Sequence, residues 1–234
     1  MIEAYVTNLG KYNEGELCGE WLKLPTTAEE VKALFSRIGV DGVLYEEFFI
    51  TDYSTNLAGM QNLGEYESLD DLNYLAALVS ELQDWELEKF EAAAVYGDHS
   101  GNVQELINLA QNLDCYEYYP GVSDNDDLGR YLIDELEYEQ IPDNLVNYID
   151  YEAYGRDFSI NESGDFVDGG YISRNDVDFK KHYDGHDLPD EYKICFYPDP
   201  PDKMPIKQQL EMYSRMAQTS AVADKPAPKR EERT

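Results

Sequence analysis

Residues 41–173 hold thirty-one Asp and Glu against three bases, Lys89, Arg130 and Arg156, a local net charge of −28 within a chain total of −31. The flanks are almost balanced, with six acids and four bases in residues 1–40 and twelve acids and eleven bases in residues 174–234. A polyanion of this density repels itself and resists compaction, so it folds only if it also carries ample apolar surface. Disordered acidic segments lack that surface and are poor in aromatics. Here 42% of residues are hydrophobic and 13% aromatic, with twenty Tyr, and the acids are interleaved with apolar residues at helical spacing. The segment reads as a folded body coated with carboxylates. Salt adaptation would spread acids over the whole chain; confinement points to a cationic partner instead.

Periodicity divides the 234 residues into small units. Ile2-Glu3-Ala4-Tyr5-Val6 and Leu17-Cys18-Gly19-Glu20-Trp21-Leu22 alternate as strands do, with a loop between them. Thr27-Ala28-Glu29-Glu30 matches a capping box, followed by Val31, Leu34, Phe35 and Ile38 on one helical face and a stop at Gly39. Glu47–Tyr53 is a third strand, which makes residues 1–60 an α+β unit. Residues 61–100 form a central helical module. One helix opens at Ser68 with Leu72, Leu75, Val79 and Leu82 inward, and a second runs from Asp84 to Tyr96 until Gly97 stops it. In 101–173, a second α+β unit, a helix from Asn102 leads to a strand at Cys115–Tyr119. Another helix starts near Asp126 with Leu128, Leu132 and Leu136 on one stripe, and Leu145, Val146 and Ile149 give a further helical face. Phe158–Ile160 and Phe166 are expected to form a hairpin around Asn161–Gly164. The fold class is therefore α+β, with a Pro- and Lys-containing extension at 174–234. Packing is expected to thin out there, with a short helix after Pro205 holding Ile206, Leu210, Tyr213 and Met216 and a disordered end.

Cys18, Cys115 and Cys195 are odd in number and far apart, the usage of reduced thiols in a cytoplasmic protein. No apolar run reaches the roughly 18–20 residues of a membrane span, and the opening residues lack the pattern of a secretory signal. An acid-coated protein repels nucleic acid and anionic membranes, so neither is an expected partner.

Known chemical motifs are absent or incomplete. There is no phosphate-binding glycine loop, dinucleotide fingerprint or nucleophile elbow. His182 and His186 are four apart, but Gly185 opposes a helix and no third metal ligand is evident. His99 stands alone as a structural histidine. Asp157, Ser159, Asn161 and Asp168 occupy part of a calcium-loop pattern, yet Glu162 stands where the loop needs glycine. These observations predict no nucleotide cofactor and no metal, while an acidic hydrolase or metal-binding protein that uses a subset of the carboxylates stays open as an alternative.

Tyr5-Val6-Thr7-Asn8-Leu9-Gly10-Lys11-Tyr12-Asn13-Glu14-Gly15-Glu16-Leu17-Cys18-Gly19-Glu20-Trp21-Leu22 resembles the start of the ArdA family of antirestriction proteins, Glu47–Tyr53 its next element, and Leu128–Leu136 its antirestriction motif. The resemblance covers residues 2–173. It implies an elongated protein of three small domains that dimerises through the third, mimics bent DNA and occupies the DNA groove of Type I restriction–modification enzymes while mobile elements enter a cell, acting with no covalent step and so not as an enzyme. B-DNA carries one phosphate per roughly 1.7 Å, so a body of about 50–70 Å corresponds to about 30–40 phosphates, the same order as the charge counted above.

The DNA-mimicking surface expected on this reading starts with Glu46, Glu47 and Asp52 and is densest over Glu65, Glu67, Asp70, Asp71, Glu81, Asp84, Glu86, Glu88 and Glu91. It continues through Asp114, Glu117, Asp124, Asp126, Asp127, Asp134, Glu135, Glu137 and Glu139. Leu128, Tyr131, Leu132 and Leu136 are the expected dimer contact, with ordinary core as the competing reading of the leucine stripe.

Overall fold

The computed structural model describes residues 1–142 and 144–195, together with Ile206, Lys207, Leu210 and Ser214. Its architecture is α+β, built around two three-stranded antiparallel sheets.

In the first sheet β1 (Ile2–Asn8) lies between β2 (Gly19–Leu24) and β3 (Phe48–Thr55). Ile2, Ala4 and Val6 recur with period two and are all buried, which fixes the register of the central strand. The residues expected to be a plain loop after β1 include a one-turn helix, α1 (Leu9–Asn13), nucleated where the Asn8 side chain accepts the Lys11 amide at 3.0 Å. Helix α2 (Ala28–Ile38) starts at Thr27, whose hydroxyl accepts the Glu30 amide, and ends at Gly39 in the left-handed conformation. Val31, Leu34 and Ile38 are its buried face.

Helices α3 (Leu69–Glu81), α4 (Asp84–Tyr96) and α5 (Val103–Ala110) follow the predicted boundaries closely because each has a side-chain start signal. Ser68 caps α3, Gln83 and Glu86 form a reciprocal box on α4, and Asn102 caps α5. The second sheet places β6 (Gly170–Arg174) between β4 (Tyr116–Pro120) and β5 (Asp165–Val167). Against it pack α6 (Asn125–Arg130), which runs on as a π-turn over Tyr131–Glu135, and α7 (Tyr151–Glu162).

A continuous apolar core joins the first sheet, α2–α5 and the second sheet through Val6, Leu34, Ile50, Leu72, Leu75, Phe90, Leu106, Ile107, Tyr116 and Ile172. A second cluster, Tyr119, Val122, Leu128, Leu132 and Tyr171, lies under α6 and α7. Fully burying a residue such as Leu72 or Phe90 contributes about 1.5–3 kcal/mol, and these side chains provide the main force opposing repulsion among the acids.

Three expectations are corrected. Phe158–Ile160 belong to α7, not to a strand, because Asp150 caps the helix and Tyr151, Gly155 and Phe158 follow at helical spacing. The hairpin is β5–β6, turning at Gly169 with φ 94°. Leu145, Val146 and Ile149 do not form a buried helical face: Val146–Tyr148 is a single 3-10 turn, too short to present one, and Leu145 and Val146 are exposed. Packing also does not thin out directly after Arg174, since Tyr183, Leu188 and Ile194 are buried in the main core. Of the helix expected after Pro205, Ile206, Lys207, Leu210 and Ser214 are helical and exposed. Tyr213, Met216 and the expected disordered end lie outside the described residues.

Candidate partner-binding surface

Among the expected surface acids, Glu46, Glu47, Asp52, Glu65, Glu81, Asp84 and Glu88 are exposed, as are Asp114, Glu117, Asp124, Asp134, Glu135, Glu137 and Glu139. Glu67, Asp70, Glu86, Glu91, Asp126 and Asp127 are half-buried. Asp71 is a correction: it is 7% exposed and accepts the Tyr183 hydroxyl at 2.7 Å. It lies on the core side of the first turn of α3, beside buried Leu72, where Tyr183 meets it, while Asp70 in the same turn stays half-buried.

Several of these carboxylates also hold the backbone that displays them. Asp124 caps α6 by accepting the Asp127 amide, Glu86 accepts the Gln83 amide, and Glu91 accepts the Ala58 amide. Asp127 accepts both the amide and the hydroxyl of Ser123, and these bonds hold its carboxyl below the usual range. Negative groups in a first helical turn are favoured by the helix dipole. Asp70 and Asp71 on α3, Asp84 and Glu86 on α4, Glu105 on α5 and Asp126 and Asp127 on α6 all occupy such positions. Part of the acidic coat thus sits where the backbone offers partial positive charge.

The bases of the segment do little to neutralise it. Arg130 pairs with Asp126 at 2.7 Å and lies over the Tyr151 ring, and Arg156 lies 3.6 Å from its neighbour Asp157. Lys89 is half-buried, and desolvation lowers its pKa against the pull of Glu117 and Asp114. Exposed ion pairs of this kind contribute about 0–1 kcal/mol. Three large aromatics interrupt the carboxylates: Tyr66, between Glu65 and Glu67, is 74% exposed, Trp85, between Asp84 and Glu86, is 59% exposed, and Tyr138, between Glu137 and Glu139, is 53% exposed. Sequence reasoning missed all three. Their signal was an aromatic residue on the polar side of an otherwise regular pattern.

The expected dimer contact separates into two layers. Leu128 and Leu132 are fully buried in the second core, which settles those two as core within the chain. Tyr131 is half-buried, with its ring 5.0 Å from that of Tyr119, and Leu136 is 38% exposed. The π-turn explains why Leu136 leaves the stripe. Its amide donates to the Tyr131 carbonyl, five residues back, and the widened turn rotates it off the Leu128–Leu132 face.

Two glycines that periodicity did not single out set the α6–α7 crossing. A Cβ on Gly129 would collide with the Tyr151 carbonyl, and one on Gly155 with the Asn125 carbonyl. Their absence lets the two backbones touch, which fixes the display of Asp126, Asp127, Asp134 and Glu135.

No group of three or more His, Cys, Asp or Glu among the described residues is placed to hold a metal ion. His182 and His186 are exposed, and Asp157, Ser159 and Asn161 lie on α7 rather than in a loop. His99 stacks on Phe179 at 3.6 Å, beside Arg174, as a structural histidine would. The three cysteines are free, and burial pushes the thiols of Cys115 and Cys195 up. A groove of about 760 Å³ lies between α2 and the segment Ile194–Cys195, lined by Val31, Phe35, Val40, Phe48 and Ile194. No described helix is long and apolar enough to cross a membrane.

Fold and surface together define a small α+β protein whose distinctive feature is a polyanionic exterior supported by a continuous core. The family model described as Antirestriction protein (ArdA) matches residues 4–173, most of the chain, and the chain belongs to that family. Antirestriction proteins interact with restriction–modification enzymes. The matched span covers the acidic segment and stops where the charge becomes balanced. No curated protein matches the chain.

Proposed function

We propose that this chain is a non-catalytic inhibitor that mimics B-DNA and occupies the DNA-binding groove of a Type I restriction–modification enzyme. The observation that carries the reading is the exposure of the carboxylates between residues 41 and 173, with so few bases beside them. A groove evolved for phosphates gains counterion-release affinity from any regular array of anions. Tyr66 and Trp85 add apolar contact area among the charges, the residue types that dominate interface energetics. The same reading makes the protein an elongated cytoplasmic homodimer that protects an entering mobile element, with Tyr131 and Leu136 facing the second copy and Leu128 and Leu132 supporting them from behind.

The competing hydrolase or metal-binding reading needs one specialised carboxylate. Asp71 has a raised pKa, caused first by desolvation, but its geometry ties it to Tyr183 in a packed interior. The test is competition: purified protein is added to a Type I enzyme bound to labelled DNA. Displacement of DNA that weakens gradually as exposed Glu and Asp become Gln and Asn supports mimicry. Loss of inhibition through a single amide substitution, with no response to salt, would overturn it.

A further inference from the structure

Residues 178–195 lie beyond the span matched by the family, yet they cross α3 and α5 as a strap that forms no strand, bending at Gly185 and making one 3-10 turn at Asp190–Tyr192. Side-chain amides take the place of a neighbouring strand. Asn108 Oδ1 accepts the His182 and Tyr183 amides at 2.7 and 2.9 Å, while its Nδ2 donates to the Tyr183 carbonyl at 2.8 Å. Four residues later, just past the end of α5, Asn112 holds Lys180 in the same way, accepting its amide and donating to its carbonyl, both at 2.9 Å. On α3, Asn73 donates to the Tyr192 carbonyl at 3.1 Å. Asp70 accepts the Ile194 and Cys195 amides, each at 2.7 Å.

These three asparagines are at most 4% exposed, and each uses an oxygen and a nitrogen in fixed directions, since Asn73 also accepts the Thr26 amide. Buried amides of this kind are costly unless satisfied, so the face is built to receive a peptide main chain. Apolar sockets complete it. Tyr183, Leu188 and Ile194 are buried, Tyr74 packs against the rings of Tyr183 and Tyr192, and the Tyr183 hydroxyl compensates Asp71.

We propose that the α3–α5 face is a peptide-binding site that reads main-chain amides and carbonyls through Asn73, Asn108 and Asn112, and that residues 178–195 are its tethered ligand. The chemistry it takes is a peptide whose main chain has no strand partner, with an aromatic hydroxyl and two aliphatic anchors at the spacing of Tyr183, Leu188 and Ile194. The proposal is independent of DNA mimicry.

The test cuts the tether in the full-length chain by a protease site inserted between the exposed Val177 and Asp178. The C-terminal fragment is expected to stay bound on gel filtration and to be replaced by a labelled synthetic peptide of residues 178–195, which the uncut chain does not bind. In the cut chain Asn108→Ala should release the fragment about tenfold faster or more, the factor carried by one net hydrogen bond of about 1.4 kcal/mol. In the uncut variant the His182 and Tyr183 amides should exchange faster while α4 stays protected, a readout that does not require the cut form to survive. Separation of the fragments without peptide uptake would refute the site. So would collapse of the whole fold on cutting, or release unchanged by Asn108→Ala.

Discussion

Gly129→Ala provides a test in which two effects of opposite sign compete. Replacing glycine by alanine inside a helix normally stabilises by about 1 kcal/mol, because alanine loses less backbone freedom. At Gly129 the new methyl lands on the Tyr151 carbonyl and its neighbouring backbone atoms, which cannot rotate away as a side-chain end would. Carbon–oxygen contacts settle near 3.3–3.6 Å, so α6 and α7 must separate by about 1 Å or more. That movement loosens Leu128 and Leu132, both fully buried between the helices and the second sheet, and each contributing about 1.5–3 kcal/mol when packed. Overpacking a core costs about 1–3 kcal/mol, occasionally more, and partial loss of the two leucines brings the penalty to about 3–4 kcal/mol. After the gain in helix propensity, the net destabilisation is about 2–3 kcal/mol. Urea unfolding at neutral pH measures it through the midpoint, and amide exchange on α6 and α7 locates it. A midpoint that is unchanged or higher would refute the crossing geometry.

Asp71→Asn should stabilise the protein at pH 7, since the amide keeps an acceptor for Tyr183 and removes a desolvated charge. The folded pKa of Asp71 is raised by burial, so its penalty is present above that pKa and relaxes as pH falls through it towards the unfolded value. The advantage of the variant in thermal midpoint should therefore shrink on acidification, and a constant or growing advantage would contradict the assignment. Leu136→Glu and Leu132→Glu separate the two layers of the proposed dimer contact. The first should leave urea stability near that of the parent while weakening self-association in sedimentation, and the second should unfold the α6–α7 unit outright, because Leu132 has no exposed surface. A Leu136→Glu protein that dimerises as the parent does would remove Leu136 from the seam.

The elements easiest to read from sequence were those with a local start or stop signal. Thr27, Ser68 and Asn102 each mark a helix whose side-chain cap is present, and Gly39 and Gly97 mark left-handed ends. What sequence reading missed depends on tertiary partners. Phe158–Ile160 alternate with polar residues over too short a run to distinguish strand from helix, and the decision came from Asp150 upstream and the facing surface of α6. The π-turn at Tyr131–Glu135 has no marker in its residues, so Leu136 was assigned to the wrong face. The acidic surface was legible as a charge distribution because most acids are exposed. Asp71 was not separable from its neighbour Asp70, since its inward turn depends on a tyrosine 112 positions later.

The same carboxylates act against folding and in favour of binding, and this gives the two properties opposite responses to salt. Within the folded chain, the exposed acids repel one another over distances comparable to the Debye length, about 10 Å at 0.1 M and 3 Å at 1 M ionic strength. Added salt shortens that reach and relieves self-repulsion, while the apolar core that opposes it is untouched or strengthened. The first-turn acids lose part of their favourable interaction with helix N-termini under the same screening, but each such term is about 0.3–1 kcal/mol and acts only within the first turn. Relief of the many-body repulsion is therefore expected to dominate, and the thermal midpoint should rise with sodium chloride. Affinity for a basic groove moves the other way, because each carboxylate–cation contact is screened and the entropy of counterion release falls. Titration from about 0.05 to 0.5 M salt, with differential scanning calorimetry and a competition assay run on the same samples, should show stability and inhibition diverging. If inhibition fell in parallel with stability, unfolding would explain the loss and the electrostatic account would fail. If inhibition held constant while stability rose, contacts other than the carboxylate field would have to carry the binding.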